Sequence, residues 1–157
     1  MRNEENRVMR DDIIISEPKN GWVSIKIKEF ESEASYLVDI PFDWLRSCLA
    51  AFETRTPVSL FIDEEGSECF ITSYYDVTHI VIDRDEETEL ITYRDIDFFD
   101  ITDALIYYIG KYFDQWAEWD PYHDSDEEIS QRKILLKKLI SDVEEAMRPE
   151  KERYNKK

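Results

Sequence analysis

Two histidines, two cysteines and 37 carboxylates are the side chains of this 157-residue chain whose types can do chemistry, and their spacing decides how much. His79, in Asp76-Val-Thr-His-Ile-Val81, alternates with apolar neighbours as a strand residue does, which makes it structural or surface-borne rather than catalytic. His123 precedes Asp124 and Asp126, but one imidazole beside flexible carboxylates is a poor ligand set, so no metal is expected. The Asp83–Glu87 loop lacks the central Gly and terminal Glu of a calcium loop. Cys48 and Cys69 form no C-x-x-C pair and read as core packing rather than nucleophiles. Carboxylate pairs such as Asp95/Asp97 and Glu64/Glu65 are commonplace in a chain this acidic, and Glu65-Gly66-Ser67 is a turn, not a nucleophile elbow. Three glycines leave no phosphate cradle and no dinucleotide fingerprint. An enzyme is disfavoured and no cofactor is implied; a small enzyme remains the third reading, with His79 or His123 in a pocket beside a carboxylate.

The charge itself is the positive signal. Against 37 acids stand 20 bases, a net charge of −17, and the excess is not spread evenly. Residues 1–60 hold 11 acids and 8 bases, residues 61–128 hold 21 and 3, and residues 129–157 hold 5 and 9. Two runs dominate the middle segment. The first contains Asp83, Asp85, Glu86 and Glu87 and reaches Glu89. The second extends from Asp114 to Glu128 without a Lys or Arg. In it Asp114, Glu118, Asp120 and Asp124 are interleaved with Trp116, Trp119, Tyr122 and His123. Large rings among carboxylates have the composition of an interface anchor for a basic surface, the rings supplying desolvated area and the acids orientation. The competing reading folds Trp119 and Tyr122 back as a lid on the helices; for the Asp83–Glu89 run it is an ordinary solvated loop. Direct binding to nucleic acid is disfavoured because its phosphates would be repelled.

The elements that must hold these residues follow from periodicity. Trp22–Phe30 alternates as a half-buried strand, Glu31–Ser35 reads as a polar turn, and Tyr36–Ile40 as the partner strand. From Pro41 the spacing of Phe42, Leu45, Leu49 and Phe52 is helical, with Cys48 beside the stripe and a stop before Pro57. Strands are predicted at Val58–Ile62, Glu68–Tyr75, Val77–Asp83 and Glu89–Tyr93, with loops too short for parallel crossovers. A helix follows from about Asp100, capped there, to Trp116. A last one is opened by the Ser125/Glu128 capping box and carries Ile129, Leu136, Leu139, Ile140, Val143 and Met147. The fold class is α+β: an antiparallel meander of about five to six strands, one helix inserted after the first hairpin, and two C-terminal helices packed on the sheet. Residues 1–12 are expected as a mobile N-terminal tail, 13–148 as a single domain, and 149–157 as a basic tail. The polar Met1–Arg7 stretch lacks an apolar signal region and no apolar run spans a membrane, so a cytoplasmic location is expected, as it is from the unpaired cysteines.

A small, acidic α+β chain with the segment Asp114-Gln-Trp-Ala-Glu-Trp-Asp-Pro-Tyr-His-Asp124 resembles the immunity proteins that bacteria pair with polymorphic or contact-dependent growth inhibition toxins. The resemblance lies in general character, and no family residue transfers to a numbered position. It implies a cognate basic toxin domain as partner, often a nuclease whose cationic cleft an acidic surface covers. The runner-up is a nucleic-acid mimic that blocks a DNA-binding protein; it requires a long, regular row of carboxylates, where an inhibitor requires a compact patch with an aromatic centre. A homodimer through the apolar stripe of the last helix is a further possibility.

Overall fold

The computed structural model describes residues 11–119 and 125–155. Along the chain come β1 (Ile13–Ile15), β2 (Trp22–Ile27), β3 (Phe30–Ser35), α1 (Ile40–Thr54), β4 (Val58–Asp63), β5 (Glu68–Ser73), β6 (Thr78–Arg84), β7 (Glu87–Tyr93), α2 (Phe98–Lys111), α3 (Phe113–Ala117) and α4 (Asp126–Asn155). The class is α+β and every strand pair is antiparallel, but the strands form two sheets, β1-β2-β3 and β4-β5-β6-β7, instead of one. The ladder breaks where α1 intervenes between β3 and β4. The buried faces of both sheets and all four helices contribute to one hydrophobic core. Among the described residues no helix is long and apolar enough to cross a membrane.

The first sheet corrects the sequence reading twice. Its hairpin closes at Lys28-Glu29, where Lys28 adopts φ 51°, so the strand pairing with β2 is Phe30–Ser35 and not Tyr36–Ile40. The polar run was misleading because Ser32 and Ser35 are buried with satisfied hydroxyls: Ser32 Oγ donates to Glu64 at 2.5 Å and Ser35 Oγ accepts from the Leu37 amide at 3.3 Å. The short strand β1, unforeseen among its charged neighbours, pairs Ile13 with Ile27 and Ile15 with Ile25 and buries both isoleucines.

Helix α1 begins with Pro41 in its first turn and ends at Arg55, which takes the left-handed conformation (φ 56°) and donates its amide to the Ala51 carbonyl. Its buried side touches both β4 and α4, and Trp44 Nε1 donates to the Phe61 carbonyl at 3.0 Å, fixing the helix on the strand. Helix α2 is capped at Asp97, not Asp100: the Asp97 side chain accepts from the Asp100 amide at 3.0 Å while the Asp100 carboxylate accepts from the Asp97 amide at 2.9 Å. It stops at Lys111, and α3 is a separate short helix carrying Trp116. Ser125 does cap α4, accepting from the Glu128 amide at 3.2 Å.

The expected C-terminal tail is helix to Asn155, passing through Pro149. Packing outweighs the proline. Glu150, 7% exposed, accepts from Arg55 Nε (3.1 Å), Tyr75 Oη (3.0 Å) and Arg153 Nη2 (2.5 Å). Tyr154 stacks on Tyr75 and lies 5.5 Å from Phe99, within an aromatic cluster that includes Phe52 and Phe98. At the other end residues 1–10 lie outside the described residues, and Asp12 accepts the Lys28 amide at 2.8 Å through its carbonyl.

Candidate interaction surface

The two acidic runs have different fates. Trp119 is only 5% exposed; its Nε1 donates to the Val38 carbonyl at 2.8 Å and its ring lies 5.2 Å from that of Trp116. The indole is therefore a lid on the helices, and its expected role as an exposed anchor is overturned. Carboxylates on either side suggested exposure, but an indole needs only one acceptor to be buried, and Val38 supplies it. Asp114 and Glu118 are exposed, Asp114 facing Lys133 at 3.4 Å. Asp120, Tyr122, His123 and Asp124 lie outside the described residues.

The first run stands at the edge of a surface that sequence reasoning missed. In the β4–β7 sheet, Val58, Leu60 and Ile62 of β4 face the core, as do Cys69, Ile71 and Ser73 of β5 and Thr78, Ile80 and Ile82 of β6. The alternate residues face outward, where among the described residues no helix lies against β5, β6 or β7 across more than a marginal contact. The register aligns these outward residues into rows across the strands. Phe61 pairs with Phe70, Phe70 with Val81 and Val81 with Leu90, making one apolar row; Phe61 and Phe70 are 5.1 Å apart, and Phe70 and Leu90 are 41% and 61% exposed. On one side lies Ser59–Thr72–His79–Thr92 and on the other Asp63–Glu68–Asp83–Thr88. The signal was legible in principle: Phe61, Phe70, Val81 and Leu90 occupy the polar phase of strands whose other phase is already apolar.

Asp85 and Glu86 extend the acidic row. They form the two-residue turn between β6 and β7, both with positive φ (52° and 64°), a geometry that favours Asn-Gly. With Asp63, Gly66, Ser67, Glu68 and Asp83 they line an open hollow of about 350 Å³. Among the described residues none of Asp63, Glu68, Asp83, Asp85, Glu86 or Glu87 forms an ion pair. The adjoining cation, Arg84, is turned inward onto Glu64, donating from Nε at 2.9 Å and Nη2 at 2.5 Å, and also donates to the Glu31 carbonyl at 3.0 Å, tying the two sheets together. That guanidinium, with Ser32 and Ser67, holds the Glu64 carboxyl down to about 2, against an ordinary 4.5. The inner acid is neutralised and the outer ones project an unbalanced field.

Among the described residues, His79, the two cysteines and Asp100 each have a structural setting. His79 sits in the polar row with Nδ1 2.9 Å from Thr92 Oγ1. Cys48 and Cys69 are buried, and desolvation pushes their thiols up to about 12 and 11, the opposite of an activated nucleophile. Asp100 is raised well above the carboxylate range by burial and by Asp97, and serves the α2 capping box. Among the described residues no three His, Cys, Asp or Glu side chains are grouped to hold a metal ion. No protein family, no curated protein and no solved structure matches the chain.

Proposed function

We propose that this chain is a binding protein of the immunity type, which neutralises a basic toxin domain by covering its cationic face with the outer side of the β4–β7 sheet. The observation that carries the reading is the Phe61–Phe70–Val81–Leu90 row, uncovered among the described residues and flanked by acids without ion pairs there. Contiguous exposed apolar surface on a folded chain is the common mark of an interaction site, and aromatic residues at its centre are typical anchors. The flanking carboxylates would steer a cation-rich partner and set its orientation. A compact patch with an aromatic centre favours a cognate inhibitor over a nucleic-acid mimic, because the acids cluster on three strands and one turn instead of forming a long, regular row.

Co-expression with the product of the adjacent reading frame tests the proposal. That product alone should arrest growth, the native chain should restore it, and Phe70→Asp should abolish protection while circular dichroism and the melting temperature stay native. A harmless neighbour, or full protection by Phe70→Asp, would remove the support.

A further inference from the structure

The strand at the open end of this sheet carries a second inference, which stands on its backbone and does not depend on the proposed partner. β7 is seven residues long and, among the described residues, is hydrogen-bonded on one side only, to β6 over its full length. Edges of this length are usually blunted by Pro, by charged side chains, Lys above all, by bulges or by a covering element. Glu87-Thr-Glu-Leu-Ile-Thr-Tyr93 contains neither Pro nor Lys, pairs without interruption, and is exposed or half-buried throughout; its two charges, Glu87 and Glu89, lie on the phase opposite Leu90. The turn fixes which groups are free. A two-residue hairpin is closed by a hydrogen-bonded pair, here Arg84 and Glu87, so Glu87, Glu89, Ile91 and Tyr93 direct their backbone groups to β6. Thr88, Leu90 and Thr92 direct theirs to the open side.

We propose that two copies of this chain pair through β7, antiparallel and centred on Leu90. In that register Leu90 meets Leu90 of the second copy and exchanges both backbone hydrogen bonds with it, and Thr88 does the same with Thr92 of the second copy. Every free backbone group of the strand is matched, which no shifted register achieves. On the outer face the two apolar rows join end to end through the paired leucines. Glu87 lies opposite Tyr93 and Glu89 opposite Ile91, so no two acids of β7 confront each other across the seam. Just beyond the strand ends, the turn residue Glu86 comes near the bend residue Arg94 of the second copy, twice by symmetry; both side chains are exposed and neither has an ion pair among the described residues. The two-fold axis also makes each acidic row run into the Ser59–Thr72–His79–Thr92 row of the other copy, leaving the acidic hollows at opposite corners. At −17 per chain the copies still repel at long range, so added salt should strengthen the dimer, the reverse of its effect on attraction to a basic partner.

Sedimentation velocity of the full chain, as a concentration series at low and high salt, reads this directly. The expected result is a mass that rises from one to two chains with concentration, with dimerisation at least about tenfold tighter in high salt, since screening shortens the Debye length from about 10 Å at 0.1 M to about 3 Å at 1 M. Leu90→Pro removes the central free amide without touching the β6 ladder and should leave only monomer. Leu90→Lys, which sets two ammonium groups together on the axis, should do the same if the proline variant does not fold. Glu86→Arg should weaken association about tenfold, and Glu86→Arg with Arg94→Glu should restore it. A monomer at every concentration in high salt, or a dimer that survives both Leu90 variants, would overturn the proposal; the latter would move the contact elsewhere, for example to exposed Ile134 and Leu135 of α4.

Discussion

The acidic stretch that begins in α3 and the acidic turn between β6 and β7 are alike in composition and opposite in construction. Around Trp119 the carboxylates surround a ring that the core has taken, its indole on the Val38 carbonyl and its face near Trp116. Around Asp85 and Glu86 the carboxylates border a row of rings and branched side chains that the core has left outside. Charge density was therefore no guide to where apolar anchors point. In the helical region a neighbouring carbonyl decided the matter; in the sheet it was strand phase, because each outward residue shares a face with its cross-strand partners.

That contrast can be broken most forcefully at Trp119. Replacing it with Ala should cost the fold about 3–5 kcal/mol, measured by urea unfolding, and leave partner affinity per folded molecule unchanged; a stable variant with lost affinity would make it an anchor after all. Phe70→Ala should do the reverse, costing the cognate complex about 2 kcal/mol or more by calorimetry while unfolding changes by less than about 0.5. At Glu64 the outcome depends on pH. Its carboxyl is held near 2 in the folded chain against an ordinary 4.5, so the native state stays ionised where the unfolded chain takes a proton. The stability this contributes is present above pH 4.5 and is lost as pH falls toward 2. Glu64→Gln should lower stability at pH 7 by about 1.5 kcal/mol and flatten the acid limb of the stability profile. Smallest of all, Glu86→Gly should raise stability by up to about 1 kcal/mol by relieving a positive φ, while removing one steering charge and slowing association with a basic partner at low salt.

Much of the fold was legible because its periodicities are strong. The α+β class, the β4–β7 meander, α1 with its proline start and the Ser125 cap of α4 all follow from residue spacing. What was not legible depended on contacts distant in sequence. Ser32 is buried because Glu64 receives its hydroxyl, and residues 149–155 stay helical because Arg55 and Tyr75 hold Glu150. The split into two sheets has the same origin, since nothing local says that β3 and β4 do not pair. Of the acidic residues singled out by the sequence, the exposed Asp85, Glu86 and Glu87 with Asp83 beside them form the rim of the candidate surface, and the apolar centre came from register rather than composition.

The position of Tyr154 and Glu150 also bears on how the chain reaches its native state. Phe52 emerges from the ribosome early, and Phe98, Phe99 and Tyr75 follow, but the ring and carboxylate that complete their cluster arrive only as the final helix is made. Synthesis from the N-terminus thus leaves a sticky aromatic surface waiting for its cover, and the nascent chain depends on its last turns of helix to seal it.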